Sequence, residues 1–252
     1  MTKTMVSILV LVSLFVATFV PFACAGEDPI VNMTTVVYSE YLIKKGKLLF
    51  PHPVAYNDLV LKWENGMSFE VESYRNLQHL DFDTAGDEID ITLDYKKRVG
   101  KSVFQFQLSY FDLKPLVSFG DGNIIQPAIG VSRAYDTIEH TIIPFLRLEY
   151  SIFDGKSRAN GVFTRIGVAD NWKIHSSLAL SHSAALLFNE GGALGLKAGT
   201  DLLYFADLKW KVGRSHKSQI ILPSIRYSIP LDPGDTRDTE FVFGAGYQWH
   251  FK

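Results

Sequence analysis

Two sets of serine and histidine lie close together in the chain, His175-Ser176-Ser177 and Ser181-His182-Ser183. A serine hydrolase needs a hydroxyl activated by a histidine, with an acid or amide holding the histidine in place. On one extended strand His175 and Ser177 share a face, which is the geometry of a dyad. The phase of that strand turns both inward, whereas a lipid-acting site should open toward the membrane. His182 falls on the opposite, apolar face, toward the outer rim. No acid or Asn follows closely. Small polar residues lining an interior account for both sets, so no catalytic residue is assigned and no enzymatic activity is expected. No histidine cluster has metal-ligand spacing and no Gly-rich loop leads from a strand into a helix, so neither a metal nor a cofactor is expected.

The charged residues suggest a different chemistry. Glu70 and Glu72, then Asp90 and Asp94, form an acidic stretch on neighbouring strands. Arg147 and Glu149, then Lys173, Asp201, Lys209, Lys211 and Arg226, give a more basic set further along. Facing arrays of opposite sign set up a field across a pore, which favours small dipolar or charged solutes. The alternative is that these groups pair with one another inside a solvated or plugged lumen.

The elements that carry them are strands. Ile89, Ile91, Leu93 and Tyr95 alternate with Glu88, Asp90, Thr92, Asp94 and Lys96, a period of two. Phe104, Phe106, Leu108 and Tyr110 repeat the pattern against Gln105, Gln107 and Ser109. The same reading along the chain gives strands at 36–43, 54–63, 67–75, 88–97, 102–111, 124–134, 140–152, 161–168, 172–183, 199–211, 218–229 and 239–251, about twelve in all. Their links are short and long in turn, the pattern of outer-membrane barrels with short periplasmic turns and longer outer loops. An even count brings both chain ends to the periplasmic side. Tyr and Trp close many of the apolar rows (Trp63, Tyr95, Tyr110, Tyr150, Trp210, Tyr227), as a bilayer interface selects. Pro127 and Pro144 fall within strands, which counts against those two strands or marks bulges there.

Composition agrees. The chain has 252 residues, of which 47% are hydrophobic, too few for a bundle of membrane helices, while 13% are aromatic, an excess that an aromatic girdle explains. The net charge of −2, with both signs scattered, gives no basic stripe for a nucleic acid. Cys24 is the sole cysteine, which excludes a disulfide framework.

The two ends are the most specific features. Lys3, the apolar run from Met5 to Phe22, and Ala23-Cys24-Ala25 before Gly26-Glu27-Asp28-Pro29 make the three parts of a secretory signal peptide, residues 1–25. An uncleaved anchor and a lipoprotein signal acylated at Cys24 are the other readings. Pro21 and Phe22 stand where a lipoprotein signal needs an aliphatic and a small residue. At the other end Phe241, Phe243, Tyr247, Trp249 and Phe251 share one face with Ala245. This resembles the C-terminal recognition strand of outer-membrane proteins, which implies that the barrel assembly machinery is a partner; Lys252 after the final aromatic departs from that pattern.

Val37-Tyr38-Ser39-Glu40-Tyr41, the step at Pro53-Val54 and the hairpin around Glu64-Asn65-Gly66 resemble the opening of the TorF-type porins. Lys45-Gly46 replaces that family's Arg-Gly, and the likeness covers about the first third of the mature chain. It implies a small outer-membrane pore with no catalytic residues. The expectation is therefore an all-β protein, an antiparallel transmembrane β-barrel over residues 26–252 in a bacterial outer membrane. It would act as a porin-like channel for small hydrophilic solutes, with outer-membrane lipids around it and no nucleic-acid partner. A non-conducting structural or adhesive barrel is the second reading, and an outer-membrane lipid hydrolase the third.

Overall fold

The computed structural model describes residues 28–42, 48–78, 88–112, 123–154, 160–190, 198–212, 218–232 and 238–251. The signal-peptide segment 1–25, Lys45-Gly46 and Lys252 lie outside these residues. Twelve strands make the wall: β1 Ile30–Tyr38, β2 Val54–Lys62, β3 Met67–Asn76, β4 Glu88–Val99, β5 Ser102–Asp112, β6 Asn123–Arg133, β7 His140–Asp154, β8 Gly161–His175, β9 Leu178–Asn189, β10 Gly199–Val212, β11 Ser218–Pro230 and β12 Glu240–Phe251. Each pairs antiparallel with the next, and β12 returns to β1 from Val31↔Phe251 to Tyr38↔Gly244. Closure leaves the wall no free edge, so the backbone donors and acceptors of the two end strands satisfy each other. A short pair, Tyr41–Leu42 with Leu48–Phe50, lies beyond the end of β1, and Tyr135–Asp136 extends the hairpin before β7. No helix is present among the described residues.

Burial is inverted relative to a soluble sandwich. Glu72, Asp90, Thr92, Asp94, Gln126 and Ser151 are buried, while Phe243 (59% exposed), Ile129 (53%) and Phe106 (52%) face outward. Isolated exposed apolar residues mean little, but a whole outer surface of them around a polar interior calls for a non-aqueous surrounding. The inner polar groups bond to one another across the strands. Thr92 Oγ1 and Ser109 Oγ lie 2.8 Å apart, Gln126 Nε2 donates to Ser151 Oγ at 2.6 Å, and Tyr56 donates its hydroxyl to Glu72 at 2.7 Å.

The strand boundaries depart from the sequence reading in two places. The first strand begins at Ile30, six residues before the expected start at 36. Thr35 interrupts the outward apolar row and blurs the alternation, but its hydroxyl is satisfied by Asn57 Oδ1 at 3.0 Å on the neighbouring strand. Second, Ala169-Asp170-Asn171, read as a turn between strands at 161–168 and 172–183, lies within β8. These residues pair with Ile143, Ile142 and Thr141 on one side and Ser183, His182 and Ser181 on the other. The real turn is Ser176-Ser177.

The prolines behave differently from expectation as well. Pro127 pairs with Leu108 in unbroken register, and Pro144 pairs with Val168 without a shift. Opposite Pro127 the ladder from β6 to β7 skips from Glu149↔Ala128 to Ile152↔Ile125, so the missing N–H falls in a gap rather than a bulge. A bulge does occur at Leu222-Pro223, between Ile221 and Ser224.

Two glycine positions have steric causes. Gly66 closes the β2–β3 turn at φ 91°, where a Cβ would come 2.1 Å from the Lys96 carbonyl oxygen. Gly244 lies under the inward ring of Tyr38, and a Cβ there would be 2.5 Å from Tyr38 Cδ1. A large ring beside a glycine is how a small barrel fills its interior without forcing the wall apart.

Candidate functional site

Strand register puts all eleven charged residues singled out by sequence on the inner face: Glu70 and Glu72 on β3, Asp90 and Asp94 on β4, Arg147 and Glu149 on β7, Lys173 on β8, Asp201, Lys209 and Lys211 on β10, and Arg226 on β11. They do not form one array. In the middle of β7 and β8, Arg147 Nε donates to Glu149 Oε1 at 2.6 Å, and Arg165 reaches the same oxygen at 3.5 Å. Arg147 also donates to Gln107 on β5. This cluster holds two guanidinium groups against one carboxylate.

A second group gathers around Arg226. Its guanidinium donates to Asp207 Oδ1 at 2.8 Å and to the Tyr38 hydroxyl at 2.9 Å, and Ser224 donates to the same Asp207 oxygen at 2.6 Å. The guanidinium carbon lies 5.4 Å from the ring centres of both Tyr38 and Phe205, within cation–π range. Tyr38, Tyr56 and Tyr74 follow one another across β1, β2 and β3 with ring centres 6.2 and 5.0 Å apart. Tyr38, Glu40, Tyr56, Tyr74, Phe205 and Arg226 line a cavity of about 80 Å3.

None of these inward tyrosines was expected, because the sequence reading assigned tyrosine to the outer girdle. The available signal was phase: Tyr74 is two residues from Glu72 and four from Glu70. Arg165 lies on the strand that the sequence bounds at 161–168 and that in fact runs to His175.

Large apolar side chains meet inside the barrel toward the long-loop ends of the strands. Ile124, Phe153, Phe163, Leu187 and Leu203 form an apolar cluster there, with Phe163, Leu187 and Leu203 fully buried. Val36, Tyr38, Val54, Ile221 and Val242 form another on the β11–β12–β1–β2 arc. Toward the short turns the inner positions reach solvent: Lys62, Lys96, Lys173 and Lys211 are exposed and Lys209 and His250 half-buried.

The serine and histidine sets separate. His175 and Ser177 are at the β8–β9 turn, exposed, with Nδ1 of His175 3.2 Å from Ser177 Oγ and 3.3 Å from Ser176 Oγ. They do not share a strand face, because the turn runs between them. His182 is on the outer face as expected, but in the half nearer the short turns. There its Nε2 lies 3.5 Å from Asp170 Oδ2, and His140 Nδ1 lies 2.7 Å from the same oxygen beneath Trp172. Ser181 and Ser183 point to the opposite face, so neither meets this histidine pair. Among the described residues no group of three or more His, Cys, Asp or Glu is arranged to hold a metal ion.

No protein-family model and no curated protein matches the sequence. Solved structures do. An outer-membrane channel from Pseudomonas putida F1 superposes with a TM-score of 0.55 at 10% identity, covering 91% of this chain and 98% of that one. The chain has the fold of an outer-membrane β-barrel. The NanC porin gives a TM-score of 0.52 at 12% identity over 87% of this chain and 98% of its own. A bacterial polysaccharide outer-membrane secretin gives 0.52 at 7% identity over 88% and 98%. Identities this low carry the architecture and no residue role. The aromatic row of the last strand, Phe241, Phe243, Tyr247, Trp249 and Phe251, lies on the outer face of this fold.

Proposed function

We propose that the protein sits in a bacterial outer membrane as a porin-like channel for small hydrophilic solutes, with its narrowest point at the Tyr38–Tyr74–Phe205–Arg226 cavity. The carrying observation is the polarity of the interior: a closed wall that is apolar outside and lined inside by carboxylates, arginines, lysines and amides. A polar lumen under an apolar band is what a solute path across a bilayer requires. The resemblance of the first strands to TorF-type porins supports the same reading.

A second reading, a closed barrel that acts through its outer loops, is favoured by the fully buried Phe163, Leu187 and Leu203 in the long-loop half of the interior. Planar-bilayer recording separates the two. The refolded mature protein should give stepwise currents in potassium chloride. Silence across a range of voltages and salts would leave only the closed barrel. The Arg226→Ala variant shortens a charged side chain that lines the cavity and should raise the step size; an unchanged step would put the constriction elsewhere.

A further inference from the structure

The inward charges are sorted along the barrel axis. Within four residues of the short-turn ends, the inner face carries six cations, Lys62, Lys96, Arg98, Lys173, Lys209 and Lys211, against two carboxylates, Asp58 and Glu70, at the deep edge of that zone. Deeper in, toward the long loops, it carries Glu72, Asp90, Glu149, Asp201 and Asp207, and the cations there, Arg147, Arg165 and Arg226, are each tied to a carboxylate. The mouth differs. Lys96 pairs with Asp94 at 3.1 Å, and Gln105 donates to the same carboxylate at 2.9 Å. Lys62, Lys173, Lys209 and Lys211 have no ion-pair partner among the described residues. Lys209 and Lys211 lie on β10 and Lys62 on β2, two strands to either side of β12, which carries His250. Gln219 and Gln248 stand between them, with Gln219 Nε2 3.3 Å from His250 Nε2.

Like charges gathered at one level repel one another, and protein walls of low dielectric strengthen the field in the space between them. Such an arrangement is relieved by an anion entering it. The flexible lysine stems supply point charges that adapt to ligand shape, without the fixed fork of arginine. Carboxylates deeper in and an apolar cluster beyond them oppose further travel of the anion, so the ligand is held at the mouth.

We propose that the short-turn mouth is a binding vestibule for small organic or inorganic polyanions, molecules carrying two or more phosphate or carboxylate groups. The proposal rests on the interior being reached from the short-turn side, as the channel reading requires, but it does not need the pore to conduct.

The test uses the refolded mature barrel in zwitterionic detergent, with tripolyphosphate as the probe in titration calorimetry. Saturable binding should weaken about tenfold or more between roughly 50 mM and 500 mM salt. It should also weaken at least about tenfold in Lys62→Gln/Lys209→Gln/Lys211→Gln, as expected when several like charges are removed. The outward Lys97→Gln variant should match the parent. Heat-modifiable migration in a gel confirms that each variant is folded, and Lys211→Glu alone provides a milder second variant, expected to weaken binding. Absence of binding, or binding indifferent to the lysine changes, overturns the proposal. Lysine-dependent binding by a barrel that passes no current would sink the channel reading and leave this one standing. Conductance with no lysine-dependent binding would do the reverse.

Discussion

Replacing Arg226 by Met tests whether the interior is held by its charges or by its rings. The substitution removes hydrogen bonds to Asp207, to the Tyr38 hydroxyl and to the Ile225 carbonyl, at 2.8, 2.9 and 3.0 Å, but keeps an aliphatic stem between Tyr38 and Phe205. Breaking a fully buried ion pair from one side costs about 3–5 kcal/mol. Here the two side chains keep 21% and 22% of their exposure, and Ser224 still donates to Asp207, so solvent and a remaining partner reduce the loss. The expected cost is about 2 kcal/mol, within the range of about 1.5–3 kcal/mol for a charged hydrogen bond. Asp207→Asn leaves the guanidinium its tyrosine and carbonyl partners and should cost about 1 kcal/mol by the same scale. The double variant should cost less than the two together, with a coupling of about 1 kcal/mol. Reversible urea unfolding in lipid vesicles, followed by tryptophan fluorescence, measures all four corners of the cycle. Additivity within about 0.3 kcal/mol would refute the reasoning, since the pair would then contribute nothing beyond its separate contacts.

Other variants probe the remaining layers. Ile129→Arg puts a charge on the outer face between Phe106 and Leu148 and should destabilise the barrel in lipid by about 2–4 kcal/mol, the mid-bilayer cost for a cation; a neutral effect in vesicle unfolding would argue that this face does not meet hydrocarbon. Gly244→Ala forces a Cβ against the Tyr38 ring and to 2.8 Å from the Val37 carbonyl oxygen, and overpacking of this kind costs about 1–3 kcal/mol. An unchanged urea midpoint would mean that the wall yields at that point. Trp249→Ala with Phe251→Ala should lower the amount of folded barrel recovered from outer membranes while leaving refolding from urea possible. Equal loss in both settings would assign these rings to stability rather than to recognition by the assembly machinery.

Strand number and facing were legible in the sequence, because a period of two is written into each strand whatever its neighbours are. Glu88 to Lys96 and Phe241 to Phe251 could be read correctly alone. What misled was local turn chemistry. Ala169-Asp170-Asn171 has the composition of a turn, and only the flanking strands, which bring His140 and His182 to the Asp170 carboxylate, explain why it continues as strand. Thr35 hid the start of the first strand for a related reason, since its partner Asn57 is 22 residues away.

The sequence by itself determined that the wall is made of strands with one apolar and one polar face, and which charged residues share the polar face, because side-chain direction alternates along any strand. Only the tertiary structure decided which of them meet. The stagger between strands sets Arg226 against Asp207 and Tyr38, binds Arg147 and Arg165 to one glutamate, and leaves the lysines together at the short-turn mouth. That grouping depends on the relative shift of twelve strands around a closed ring, a quantity that no single strand's pattern contains.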